Sequence, residues 1–122
     1  MYAEQAQTPQ IDVRIESGEL RFQQDYYEVT LSVTITARNG ERTLFLVEAV
    51  QAGIFALRNV PEADLGPLLG IACPTVLFPY LRETISDLVI RGGFPPLLLS
   101  PISFEQLYLQ RQQQQQQQPA AL

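Results

Sequence analysis

Apolar and polar residues alternate with period two through the first half of the chain. Ile11, Val13 and Ile15 are separated by Asp12, Arg14 and Glu16. A longer run follows, with Tyr27, Val29, Leu31, Val33, Ile35 and Ala37 on one face. Glu28, Thr30, Ser32, Thr34, Thr36 and Arg38 form the other. Period two with β-branched residues predicts strands, and a one-sided pattern means that one face is buried. Asn39-Gly40 is a hairpin dipeptide, because both residues tolerate positive φ. The next strand should therefore return antiparallel.

That strand, about Arg42 to Leu57, carries Phe45, Val47, Ala49, Gln51, Gly53 and Phe55 on one face and Leu44, Leu46, Glu48, Val50, Ala52 and Ile54 on the other. Both faces are mostly apolar, which a sheet covered by helices on one side does not require. Two readings stay open. The strand is central in a two-layer core, or one face packs inside the protomer and part of the other meets a partner.

The pattern then changes. Residues 58–73 are turn-rich. Ala63 to Leu81 is long and apolar enough for a membrane span, but Gly66, Pro67, Gly70, Pro74, Pro79 and Asp64 interrupt it. The stretch reads as a buried loop leading into a helix, with no direct membrane insertion. From Thr75 to Arg91, Leu77, Phe78, Leu81, Ile85, Leu88 and Val89 recur at helical spacing. Pro74 suits the helix start. Asp87 and Arg91 form an i,i+4 pair, and Gly92-Gly93 followed by Pro95-Pro96 ends the helix. The segment Phe94 to Ile102 is extended and punctuated by proline; its three consecutive leucines cannot all face one core. It is either a loop laid over the sheet or one wall of an apolar groove. Ser103 with Gln106 makes a capping box, and Ile102 with Leu107 a hydrophobic staple, for a second helix whose Phe104, Leu107 and Tyr108 face inward. Seven glutamines and Pro-Ala-Ala-Leu close the chain as a low-complexity tail.

Composition narrows the chemistry. A chain of 122 residues is one domain. Charged residues are 17%, below the roughly 25% of a typical soluble domain, which points to surface buried against partners. The net charge is −5, and all eight cations are Arg; so acidic a chain is not suited to neutralising nucleic-acid phosphates. There is no His and no Lys. That removes Ser-His-Asp and Cys-His nucleophiles, imidazole metal sites, Schiff-base chemistry and the P-loop lysine. Cys73 alone forms no internal disulfide and holds no zinc. No enzyme activity, metal or cofactor is expected. The first ten residues lack a basic segment followed by an apolar one, and a cytoplasmic location is expected.

Four collinear pieces carry a resemblance. LGIACPTVLFPYLRE at Leu69 to Glu83, QAGIF at Gln51 to Phe55, RGGFPPLLLSPISFEQLY at Arg91 to Tyr108 and YEVTLSVTITA at Tyr27 to Ala37 resemble the SecB protein-export chaperones. The resemblance runs from about Pro9 to Arg111. It implies an α+β fold: an antiparallel Greek-key-like sheet, four-stranded in the family and three-stranded here, with two helices on one face. It implies a homotetramer built as a dimer of dimers. It also implies an ATP-independent holdase that keeps precursor polypeptides unfolded and passes them to the SecA motor. A polar segment 1–10, a SecB-like domain 11–111 and a poly-glutamine tail 112–122 are the expected divisions.

The resemblance also distributes roles. Phe45, Tyr80, Phe94, Leu97, Phe104, Leu107 and Tyr108 are candidates for the client groove, with ordinary core packing the competing role of each aromatic. Leu46 and Glu48 match the motor-docking surface. Val47, Ala49 and Gln51 match positions near the contact between dimers. The family carries a further strand and acidic docking residues before the region of Pro9, and a tryptophan at the groove mouth that aligns with Gln7. Its acidic tail is replaced by the glutamine run. Two alternatives stand beside export: a SecB-like chaperone dedicated to one client such as an antitoxin, and a carrier of a small apolar ligand.

Overall fold

The computed structural model of the chain describes residues 8–117; Gln7 and the last residues of the tail lie outside them. Three strands, β1 (Gln10–Gln23), β2 (Tyr26–Asn39) and β3 (Arg42–Ala56), form an antiparallel sheet in the order β1-β2-β3. A helical run follows: α1 (Glu62–Pro67), a π-helical turn at Leu68–Ala72 and α2 (Cys73–Arg91). After an extended segment, α3 spans Phe104–Gln117. This is the α+β arrangement expected from the sequence, with β2 at its centre.

The alternation on β2 is realised residue by residue. Tyr27, Val29, Leu31, Val33, Ile35 and Ala37 are buried, and the residues between them are half-buried or exposed. Leu69, Cys73, Leu77, Phe78, Leu81, Ile85 and Val89 from the helical run close the same core.

Two bulges bring the three strands into phase. The β2–β3 turn is Gly40-Glu41, one residue later than Asn39-Gly40, with Gly40 at φ +66°. Near the turn Arg38 faces Thr43, but beyond it Ala37 faces Phe45, so Leu44 is an extra residue on β3. Without that residue Ile35 would face Leu46 and Val33 would face Glu48, because one step of register turns every side chain over. The bulge keeps Glu48 out of the core. On β1 the extra residue is Phe22, between the pairs Gln23–Tyr26 and Arg21–Tyr27. It sets Ile11, Val13 and Ile15 opposite Ala37, Ile35 and Val33, where the unbulged register would have brought Asp12, Arg14 and Glu16.

The helical run begins earlier than its proline content predicts. Residues 62–73 are helical, not a turn-rich loop. Pro67 closes α1 and Pro74 stands in the first turn of α2, where a missing amide is tolerated. The wider π turn lies between them. By length and composition Glu62–Arg91 is long and apolar enough to cross a membrane; its inner face, from Leu69 to Val89, packs on the sheet.

The predicted stop and start signals hold. Gly93 adopts φ +88°, its amide donates to the Ile90 carbonyl, and the Phe94 amide donates to the Val89 carbonyl. This is the Schellman pattern, which requires a left-handed residue after the helix. Arg91 pairs with Asp87 at 2.9 Å. The Ser103 hydroxyl accepts from the Gln106 amide at 3.2 Å, and Ile102 and Leu107 are half-buried against the core. α3 continues through the glutamines as far as Gln117.

The core contact predicts a sharp contrast between two leucines. Leu81 is fully buried and Leu98 is 74% exposed. Leu81→Ala should destabilise the fold by about 2–5 kcal/mol, and Leu98→Ala by less than about 0.5 kcal/mol. Urea unfolding of both variants measures the difference.

Candidate functional site

The helix layer covers β2 and part of β3 and leaves the Ile11–Val13 end of β1 uncovered. Ile15 is half-buried, whereas Ile11 and Val13 are exposed although they stand on the helix-facing side. The segment after α2 borders this uncovered strip. Leu99 is buried, Leu97 half-buried and Leu98 exposed, as three consecutive leucines in an extended chain must divide. Between β1 and this segment lies a groove of about 400 Å³, walled by Ile11, Val13, Leu97, Leu98, Pro101 and Ile102. None of its lining residues is charged. An extended apolar guest entering it would displace water without stranding a buried charge.

The other candidate groove residues fall in four different places. Phe45 and Phe94 stack at 4.6 Å between ring centres, tilted by 49°. They share a second hollow of about 350 Å³ with Leu46, Val47, Glu48 and Leu88. Phe104 is buried in the core, edge-on to Phe78 at 5.9 Å. Leu107 is half-buried against the same core. Tyr80 is 61% exposed, on the solvent side of α2. Leu97 alone of the seven lines the apolar groove beside β1.

Tyr108 has a seat of its own. An added methyl at Gly70 would lie 2.5 Å from its Cδ1, and one at Gly66 would lie 2.7 Å from its hydroxyl. The ring therefore rests on a track of two glycines spaced one turn apart across α1 and the π turn. Arg111, one turn further along α3, donates to the Ser17 hydroxyl at 2.9 Å. Together these contacts tie α3 to the helical run and to β1. Sequence reasoning did not find this track; the spacing Gly66–Gly70 opposite Tyr108–Arg111 was its only signal.

On β3 the alternation separates two sets. Val47, Ala49 and Gln51 are half-buried on the side of α2, whereas Leu46 and Glu48 are exposed on the outer face. Val50 and Ile54 are exposed there as well, so the outer face carries an apolar stripe around a single carboxylate.

Little polar chemistry accompanies these surfaces. Among the described residues no side-chain polar group is buried without a partner, and no group of three or more metal-ligating residues occurs. Burial pushes the Cys73 thiol above its usual range, and the Glu19 carboxylate adds to that shift. The thiol is held protonated inside the core, the opposite of a reactive cysteine.

Comparison with known proteins agrees with this anatomy. The family model described as preprotein translocase subunit SecB matches residues 1–115. The protein-export protein SecB of Chromobacterium violaceum is 54% identical over 112 residues, 92% of this chain and 74% of that protein. The SecB of Thiobacillus denitrificans is 50% identical over 94% of this chain and 76% of its own length. Among solved structures, a Mycobacterium tuberculosis SecB-like chaperone in complex with a ChAD peptide from the HigA1 antitoxin has a TM-score of 0.70 at 23% identity. That match covers 81% of this chain and 76% of the other, and establishes likeness of fold.

The glycine track predicts a non-additive pair. Gly70→Ala should cost about 1–3 kcal/mol by pushing the Tyr108 ring off its seat. In a Tyr108→Ala background the same change should be neutral or stabilising by up to about 1 kcal/mol, since alanine is the better helix former. Denaturant unfolding of the two single variants and the double measures the coupling.

Proposed function

This chain belongs to the SecB family of preprotein translocase subunits, and on that premise we propose that it holds unfolded precursor polypeptides, without nucleotide or catalysis, in the apolar groove beside β1. It is a SecB-type chaperone. One observation carries the placing of the client: the groove between β1 and the Leu97–Ile102 segment is apolar, open and free of charge. Such a surface binds by non-directional burial and discriminates little between sequences. The exposed backbone edge of β1 alongside it adds contacts that any extended peptide can make. Export is favoured over a single-client role because the relatives at 50–54% identity are protein-export proteins.

The remaining roles follow from the two faces of β3. Leu46 and Glu48, exposed together, form a surface for a SecA-type motor that offers an apolar contact and a cation. Val47, Ala49 and Gln51 stand beside α2, where they support the helix layer on which a homotetramer would close. Exposed Val76, Tyr80 and Ile90 on α2 belong to that same surface in this reading, which gives Tyr80 an assembly role in place of a groove role. A cytoplasmic site of action belongs to the same reading, since the relatives are protein-export proteins.

Two measurements test these assignments. Leu97→Ala should weaken binding of an unfolded client by about 1–2 kcal/mol through lost apolar contact, while circular dichroism stays that of the native fold. Unchanged suppression of client aggregation would place the client elsewhere. Glu48→Arg should weaken docking to SecA and leave client binding intact, since attraction to a basic partner becomes repulsion. The effect should shrink as salt rises. Titration against the motor at two salt concentrations measures it, and docking that ignores both changes would remove Glu48 from the contact.

A further inference from the structure

The apolar groove beside β1 does not run the length of the strand. Ile11, Val13 and Ile15 wall it, and they occupy alternate positions on one side of β1. The next two residues on that side are Ser17 and Glu19. They line a separate hollow of about 310 Å³ between β1 and α3. The chemistry changes abruptly at Ser17. Glu19, Arg111, Gln112 and Gln115 all border the second hollow, whereas no charged residue borders the first.

A bar stands at the boundary. The half-buried Arg111 guanidinium donates to the Ser17 hydroxyl at 2.9 Å. α3 thus reaches β1 at the first residue past Ile15 on the groove side. The seat of Tyr108 on Gly66 and Gly70 sets this reach, because Arg111 lies one helical turn further along the same face of α3. One N–H group of Arg111 is taken by Ser17; a guanidinium has others to offer.

The bar limits what the groove accepts. From Ile11 to Ile15 an extended strand rises about 13 Å, the length of about five guest residues. Within that length any apolar sequence serves. An apolar guest side chain pushed past Ile15 would strip water from the guanidinium and from the neighbouring carboxylate and amides. It would give them no hydrogen bond in return, a cost that offsets its own burial. A hydroxyl, amide or charged side chain at that place would keep those groups satisfied.

We propose that Arg111 is a specificity-determining residue of the groove: with Ser17 it ends the apolar track after Ile15 and selects client segments in which a short run of alternate apolar side chains is followed by polar ones. The inference rests on the placing of clients in the groove beside β1, and adds to it a limit on the length of the apolar run.

Two fluorescein-labelled peptides of about ten extended residues test this limit. Both place serine at every second position. The short-run probe carries leucine at three of the positions between and glutamine at the last two. The long-run probe carries leucine at all of them. In anisotropy titrations the wild-type chain should bind the two with similar affinity. Arg111→Met keeps a long side chain and removes its charge and donors. It should shift the affinity ratio towards the long-run probe by about tenfold, since two more leucines are buried while Glu19 and the glutamines still oppose them. Arg111→Lys keeps the charge and should hold the wild-type ratio. An unchanged ratio in Arg111→Met would overturn the proposal. So would an equal shift in Arg111→Lys, which would assign the effect to a loosened α3, and so would a wild-type chain that already prefers the long-run probe tenfold. Leu97→Ala reads the premise by itself. Weaker binding of both probes keeps the client in the groove; unchanged binding of both removes the groove, and this specificity with it.

Discussion

Leu31 and Ile35 on β2 meet Leu81 and Ile85 on α2 in a contact from which water is fully excluded, and the other elements are arranged around it. The contact demands that neighbouring strands present their apolar sides in step with β2. Neither hairpin turn supplies that step unaided. Leu44 and Phe22, one extra residue on each outer strand, move the polar alternates of β1 and β3 to the solvent face. Burial of even one of those charges would cost more than a bulge does, so the bulges are part of the folding code and not irregularities.

A single helix layer cannot cover a three-stranded sheet of this length, and the uncovered parts are where the protein has surface to offer. β1 keeps its helix-side valine and isoleucines in a groove shared with the Leu97–Ile102 segment. The outer face of β3 keeps Leu46, Val50 and Ile54 in solvent. The Schellman turn at Gly93 aims the chain out of α2 and along the sheet, and the Ser103 hydroxyl cap starts α3 at the far end of that segment. The groove wall is thus held at both ends by local backbone chemistry, while its middle stays extended and apolar.

Tyr108 illustrates how packing redistributes residues that look alike in a sequence. It and Leu97 both lie in the piece Arg91 to Tyr108 that resembles the family, and both are candidates for the client groove. Leu97 borders the open groove, whereas Tyr108 lies on Gly66 and Gly70 and locks α3 down. Phe104, an aromatic in the same segment, went to the core because the first turn of α3 abuts Phe78.

Period-two alternation is a property of the backbone, so the buried face of β2 and the two faces of β3 were legible from residue order alone. So were the caps at Ser103 and Gly93, whose hydrogen bonds span only a few residues. The proline-rich stretch was misread because a proline is judged by its place in a helical turn, and Pro67 and Pro74 acquire tolerated places only once the π turn exists between them. The bulges at Phe22 and Leu44 likewise answer to the neighbouring strand. The candidate site divided for the same reason: sequence order supplied a set of apolar residues, and the helix layer, by covering some of β3 and leaving the Ile11–Val13 end of β1 open, chose which of them remain in contact with water. Local hydrogen-bond geometry and side-chain periodicity were determined by the sequence itself. Coverage, a matter of what lies across the sheet from distant parts of the chain, was decided only by the tertiary structure.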